Sequence, residues 1–562
     1  MITPMAKLIC VILFLIPLAW STQLNANYFT AKSFFLYILG SLSFFALAFQ
    51  KNKKISLPSG GWFGLGLFFI ILQIIYALGF GFPLSLYQLP KFFSLVGIVL
   101  FLAAIKFDLG DFFKRHEWWI LGFFGVLLIL TSRDLPGALI HPFGNVNMLA
   151  EFYLLSLPLI YFWIRQKSAI ASSLKIVIFI LMNIIILATK SRSACLGLGL
   201  WWGFWFYQNH LKHRSRILVL AGLVLLLTAG IYIDRLSSDY LAQKSASTTE
   251  RLNFYRSTRD LILDRPLGNG FQFPTQIVPY RLNYPAGPSE SEYPDQPHSE
   301  ILKWGVQFGW LGFVMALFSL ALIARRIAKG EYFLLKGAGL VILPQILFQF
   351  PFENPATIIL LALYIYLFAQ SLPQKNISWL KTSKSICLLL GSGLFYFSLI
   401  FVTSVYLESN FPDDLGKTAR ACRMNPAYLR GCVRKNYNLL QAHQYADLKK
   451  NLKEDMRFNY YAADYLKLLS SLIAEHDLEP ELIIQNESKT SVSVYDSAAN
   501  QTKIFKKNCQ ILHLYVFMYK NQTHYTPDDI KACQNVEAPF DLKLAPFEFD
   551  RTYKNWIEDL LK

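Results

Sequence analysis

Charge is what this chain has least of. Only 16% of its 562 residues are Asp, Glu, Lys or Arg, against about 25% in a soluble globular domain. Many motifs that announce a chemistry are missing too. There is no G-x-x-x-x-G-K-[ST] phosphate loop, no G-x-S-x-G nucleophile elbow and no H-E-x-x-H metal helix. No D-x-D-type acidic pair stands in a loop suited to hold a divalent metal and a nucleotide sugar, and the cysteine spacings match no zinc pattern. No internal repeat is visible, which argues against a transporter built from paired halves. These absences exclude P-loop, serine-hydrolase and zinc-protease chemistry, and they predict no cofactor and no metal.

Apolar residues fill the space that charge leaves. They make up 54% of the chain, and mean hydropathy is +0.34. They come in runs at 8–20, 33–49, 62–80, 91–105, 118–130, 148–164, 174–189, 194–208, 217–233, 304–324, 337–350, 356–372 and 386–406. Helical runs of this kind cross a hydrocarbon core of about 30 Å, so the reading is an all-α polytopic membrane protein with about 13 transmembrane helices. The first run, in "MAKLICVILFLIPLAWSTQLNA", resembles a signal peptide but lacks an A-x-A site, and is read as an uncleaved span.

The formal net charge of +17 would suit nucleic acid, but its distribution says otherwise. Every second connection is basic: Lys51, Lys53 and Lys54; Lys106, Lys114 and Arg115; Arg165, Lys167 and Lys175; Lys212, Arg214 and Arg216; Arg325, Arg326 and Lys329; Lys375, Lys381 and Lys384. The connections between carry little more than Lys32, Lys91, Arg133, Lys190 and Arg192. This is the positive-inside pattern, with the N-terminus inside and the C-terminus outside. No basic patch is interleaved with exposed aromatics, so nucleic acid is not a partner; membrane lipid is.

Residues 1–406 form the predicted membrane domain, with one long external loop at 234–303. Residues 407–562 form a predicted external C-terminal domain, read as mainly helical from stretches such as "YYAADYLKLLSSLIAEH". Cys10, Cys195 and Cys387 fall in predicted spans, whereas Cys422, Cys432, Cys509 and Cys533 fall in the C-terminal region. Four cysteines on an oxidising side allow three pairings, of which Cys422 with Cys432 is the local one.

Four places carry candidate chemistry. "TKSRSACLGLG" sets Lys190 and Arg192 on the side where the charge rule disfavours them; the plain reading is snorkelling, the functional one an anionic diphosphate. Ser247 and Glu250 have capping-box spacing, so a helix should begin near Thr248 and end before Pro266, with Gly268 and Gly270 turning the chain. Arg251, Arg256 and Arg259 then share an arc of about 140°, either a solvated face or a second anion-binding element. His298 stands where the next span opens, as a structural cap or as a general base, with Glu300 beside it. Asn145, Asn147, Glu353 and Asn354 lie at external span ends, where they either cap helices or meet sugar hydroxyls.

In chain order, "TKSRSACLGLG", "ERLNFYRSTRDLILDRPLGNGF" and "QPHSEILKWGVQFGWLGF" resemble the O-antigen ligase and polymerase superfamily. Its pattern matches Thr189, Ser191 and Arg192, then Arg251 and Tyr255 before Pro266, Gly268 and Gly270, then His298 before Gly309 and Gly312. Ser299 stands where Asn is common, and Gln307 where an acid is common. The resemblance implies a glycan-transferase of the bacterial inner membrane acting on the periplasmic side. It implies an undecaprenyl diphosphate-linked glycan donor and an inverting transfer to an acceptor hydroxyl without metal. Arg192 and Arg251 would bind the diphosphate and His298 would activate the acceptor; Arg256, Arg259, Lys190, Asn147 and Glu300 would contact substrate. Within the superfamily the protein O-oligosaccharyltransferases look most similar, because of the long C-terminal region, which implies an acceptor protein. Ligation to lipid A-core, or polymerisation, is the alternative; a lipid-linked glycan flippase is the rival from another class.

Overall fold

A computed structural model describes residues 12–210, 251–268 and 298–447, each with short gaps, together with 482–487, 491–496 and 501–506. Its contacts divide the chain into two compact units. One comprises Met1–Ser245, Pro266–Phe271 and Gln296–Asn410; the other comprises Ala246–Arg265, Gln272–Asp295 and Phe411–Lys562.

In chain order the described helices begin with α1 (Asn27–Ala48), α2 (Gly61–Gly79), α3 (Phe82–Ala104), α4 (Leu109–Asp134), α5 (Val146–Ile164), α6 (Ser172–Ala188) and α7 (Arg192–His210). Next come α8 (residues 251–263), α9 (Glu300–Lys329), α10 (Phe333–Phe348), α11 (Pro355–Gln370), α12 (Lys381–Asn410) and α13 (Leu415–Met424). Strands β1 (Lys54–Pro58) and β2 (Gln374–Ser378) pair antiparallel; β3 (Leu482–Glu487), β4 (Ser491–Asp496) and β5 (Gln501–Lys506) form an antiparallel meander.

The first unit is a helical bundle whose outside is greasy. Trp118, Trp119, Ile129, Val314, Phe318, Leu389 and Tyr396 are all exposed, an arrangement stable only when lipid covers it. Among the described residues, Thr30–Ala48, Val146–Ile164, Glu300–Lys329 and Ser383–Asn410 are long and apolar enough to cross a membrane. A fifth span results if Leu89–Ala104 and Leu109–Arg133, bent by 109° at Lys106, are counted as one. Among the described residues four or five of the roughly 13 expected spans thus meet the length and hydropathy of a membrane crossing. Two of the expected runs, 91–105 and 118–130, form this bent pair; 217–233 and residues 8–11, 13 and 14 of the first run lie outside the described residues. Helices α6, α10 and α11, at 16 or 17 residues, rise only about 25 Å and fall short of the core thickness.

Helix α11 is the internal wall. Ala356, Leu361 and Tyr364 pack into a cluster with Leu127, Tyr153, Trp163 and Trp201, while Ile358, Ala362 and Tyr366 pack into another with Leu36, Phe44, Phe101 and Leu394. A helix that is apolar all round can only sit in such a place. On the other side of that second cluster α1 and α3 touch through Gly40, where a Cβ would lie 2.5 Å from Ser94 Oγ.

Contacts at the helix ends respect the charge alternation. β1 and β2 join two basic connections, and Arg326 Nη2 donates to Ser371 O at 2.6 Å. At the other end the Lys32 ammonium donates to Ala19 O at 2.7 Å and to Pro142 O at 2.5 Å. Basic connections thus meet basic ones, and weakly charged connections meet each other.

Helix α9 is broken. Gly309 has φ 64° and ψ −154°, and the turn Pro266–Gly268 enters the break: Trp310 N donates to Pro266 O at 2.9 Å, and Tyr76 Oη to Leu267 O at 2.5 Å. A Cβ on Gly309 would lie 2.0 Å from Pro266 O, and one on Gly268 (φ 83°) 2.4 Å from Gly309 N. The spacing of Gly305, Gly309 and Gly312 along one helix would suit close packing between helices. The structure corrects that for Gly309 and Gly312: the first admits a loop turn, and at the second a Cβ would meet Phe308 Cβ of the same helix at 2.4 Å.

In the second unit, α8 buries Phe254, Ser257, Thr258, Leu261 and Ile262, one helical stripe, with Arg256 and Arg259 off it and exposed. The capping residues predicted for its start lie outside the described residues. Asp414 caps α13 by accepting from Lys417 N at 2.9 Å, and that bond holds its carboxyl below the usual range. Cys422 and Cys432 form a disulfide, the local pairing; Cys509 and Cys533 lie outside the described residues. The C-terminal region, expected to be mainly helical, also holds the strands β3–β5. "SVSVYD" alternates with period two, the strand signal that a search for helical spacing passes over.

Gly309→Ala should lower the thermal unfolding midpoint in detergent, because this backbone region, open essentially to glycine alone, costs another residue about 1–3 kcal/mol and the turn at Pro266 must also move. Gly393→Ala, where a Cβ meets nothing within 4 Å, should leave it unchanged or raise it.

Candidate functional site at one end of the bundle

Two tight reversals present the candidate residues of the first unit. Lys190 (φ 59°) closes α6 in left-handed backbone, so α7 starts only two residues later with Arg192 exposed in its first turn. His298 (φ 49°) enters α9 in the same conformation, half-buried, just before the N-cap Ser299. Non-glycine residues seldom adopt this backbone, and where they persist the surroundings hold them there.

A buried ion network supplies that hold for α9. The Lys303 ammonium donates to Glu353 Oε1, and Lys91 Nζ on α3 donates to Glu353 Oε2 at 2.5 Å. Glu300 stands 3.7 Å from Lys303 Nζ, and its Oε1 accepts from Phe352 N at 3.0 Å. None of the four side chains is more than 8% exposed. Burial acts to raise the Glu353 carboxyl, but the ammonium groups of Lys303 and Lys91 outweigh it and hold it at about 2. The turn between α10 and α11 is thereby clamped to the first turn of α9, two residues beyond His298.

Around this clamp the other helix ends close in. Ser193, just after Arg192, donates to Gln345 Oε1 at 3.4 Å near the end of α10. Asn354 caps α11 through Ala356 N at 3.1 Å, and its Nδ2 reaches Met148 O at 3.5 Å in the first turn of α5. Asn145 caps α5 by accepting from Asn147 N at 2.7 Å. Beneath them Glu151 Oε1 and Gln345 Nε2 are buried without a hydrogen-bond partner among the described residues. One end of the bundle is thus polar inside.

The structure brings His298, Glu300, Lys190, Arg192 and Asn147 to this one end. Arg251, Arg256 and Arg259 belong to the second unit. There Arg259 pairs with Asp260, its Nη2 donating to Oδ1 at 2.8 Å, and burial raises the Tyr255 phenol while Arg251 beside it pulls it back. Glu300 proves to be a member of the buried network, and Asn145 and Asn354 take the capping role. Sequence reasoning missed Lys303, Glu151 and Gln345, and saw Lys91 only as a minor loop charge. A lysine inside an apolar run is itself a signal, since an unpaired one is too costly to keep. No group of three His, Cys, Asp or Glu side chains among the described residues is arranged to hold a metal ion.

An apolar exterior around a bundle with a polar, charge-bearing end defines a helical membrane protein, and that end carries the candidate site. Residues 177–317, about a quarter of the chain, match a family model described as O-antigen ligase, which supports the likeness to the O-antigen ligase and polymerase superfamily. The match covers most of α6, all of α7 and α8 and the first part of α9, and points to glycan transfer of the ligase or polymerase type. No curated protein and no solved structure matches the chain significantly.

A carboxyl held at about 2, against an ordinary 4.5, stabilises the fold fully above the ordinary value and loses that contribution as pH falls toward 2. Titrating unfolding from pH 6 to 2 in detergent should therefore show a loss on the order of 3 kcal/mol at the acid end. In Glu353→Gln that acid-dependent loss should vanish.

Proposed function

We propose that this chain transfers a glycan en bloc from undecaprenyl diphosphate to an acceptor hydroxyl on the periplasmic side, with Ser or Thr of a protein as acceptor. The observation that carries the reading is that His298, beside the clamp, and the Arg192 turn, tied to α10 through Ser193 and Gln345, lie at the same end of the bundle. In the reaction the acceptor oxygen attacks the anomeric carbon, and the bond from that carbon to the diphosphate oxygen breaks. The hydroxyl proton passes to the His298 imidazole, a group able to take it near neutral pH. Negative charge collects on the departing diphosphate, where Arg192 meets it; a guanidinium can hold two phosphate oxygens at once. By the motif order Arg251 has the same role, and Lys190, Arg256, Arg259 and Asn147 contact the donor's charge or hydroxyls. Arginine thus supplies the charge that a metal ion supplies elsewhere. Glu300 acts within the network that orients α9. The protein acceptor is favoured by the extent of chain beyond α12 and by its disulfide, which suits an extracytoplasmic compartment.

Reconstitution with an undecaprenyl diphosphate-linked oligosaccharide and candidate acceptors tests this. His298→Ala should lower the transfer rate about 10²–10⁴-fold, and Arg192→Ala or Arg251→Ala should weaken donor use. Unchanged transfer by His298→Ala removes the base assignment. Transfer to lipid A-core, or growth of the lipid-linked glycan itself, with no transfer to protein, makes the enzyme a ligase or polymerase instead.

A further inference from the structure

The opposite end of the bundle holds a cavity of about 810 Å³. It opens among the connection from α3 to α4, the end of α5, the start of α10 and the end of α11. Two cations line it, Lys106 and Arg165, and neither has an ion-pair partner among the described residues. The left-handed backbone of Lys106 (φ 50°) makes the bend that opens the angle between α3 and α4. Arg165 follows the last turn of α5, with its guanidinium 6.0 Å from the centre of the Tyr161 ring. The one acid in the lining, Asp108, is already engaged, its Oδ1 accepting from Asp111 N at 2.8 Å. The remaining wall is greasy: Phe162, Phe333, Leu334 and Leu367 face the same space.

We infer that this cavity binds the headgroup of an anionic phospholipid from the leaflet on the basic side. The volume lies within the range of about 300–1,000 Å³ that small-molecule sites occupy, more than a bare phosphate ion fills. Two cations against the single Asp108 carboxylate leave a net positive charge that selects a negative headgroup, and the apolar wall takes the glycerol and the start of the acyl chains. Basic pockets between helices at this membrane level are where such headgroups are held.

The test uses the full chain in neutral detergent, titrated with mixed micelles containing phosphatidylglycerol or phosphatidylcholine, with inorganic phosphate as a third arm. Lys106→Gln with Arg165→Gln removes the cavity's charge; Lys114→Gln with Arg325→Gln removes equal charge from exposed positions outside it. All four positions are exposed, so unfolding midpoints without lipid should agree. Phosphatidylglycerol should bind the wild type and the control variant tightly, and the cavity variant roughly 25-fold more weakly. Equal weakening in the control would show a diffuse basic surface. Equal binding of phosphatidylcholine, or stabilisation by inorganic phosphate that displaces the lipid, would likewise overturn the assignment.

Discussion

Everything at the chemical end of this protein depends on the carboxylate of Glu353 lying between the ammonium groups of Lys303 and Lys91. Each charge is costly to bury, and the cost is met only while all are present, since removing one partner strands the others. Such a network contributes little net stability over a well-packed apolar alternative. Its value is in specifying one arrangement, because sliding α3, α9 or the 349–354 turn past one another would strand a buried charge. An apolar bundle in lipid can slide or rotate at small cost; a bundle pinned by three charges cannot. The proposed chemistry needs a fixed geometry for His298, and the clamp lies one helical turn away.

The same principle orders the rest of the first unit. Helix α11, apolar on every side, joins the two hydrophobic clusters and runs from the clamp to the opposite end. The break at Gly309 separates the short polar start of α9 from the apolar stretch that faces outward, and the Pro266–Gly268 turn enters that break. A glycine-bearing turn inserted into a broken helix accounts for why the P-L-x-G and G-x-x-G elements of the superfamily pattern occur together. They are halves of one contact.

Much of this was legible from charge and hydropathy alone. The alternation of basic connections anticipated which helix ends meet, and the order of the Arg192, Arg251 and His298 stretches pointed to the superfamily that the family comparison supports. Local signals also sufficed for the Asn145 and Asn354 caps and for the end of α8. The full span count is supported only in part, with four or five spans among the described residues, because an apolar run specifies neither a bend such as the one at Lys106 nor whether a 16-residue helix crosses alone. The strands β3–β5 were hidden by shortness. The ion network was invisible for a different reason: Lys91, Lys303 and Glu353 are 262 and 50 residues apart along the chain. Nothing local marks a pairing at that range. Lys190 and His298 shared an unread trait as well, since left-handed backbone is not a property of lysine or histidine sequence.

The most direct test of the clamp is a double-mutant cycle on Lys303→Met and Glu353→Gln, read by unfolding free energy in detergent. Each single variant should lose about 3–5 kcal/mol, the cost of stranding a buried partner. The double variant should lose no more than the worse single one, leaving a coupling energy of several kcal/mol. Losses that simply add would mean that the two charges do not hold each other, and that something else fixes the start of α9.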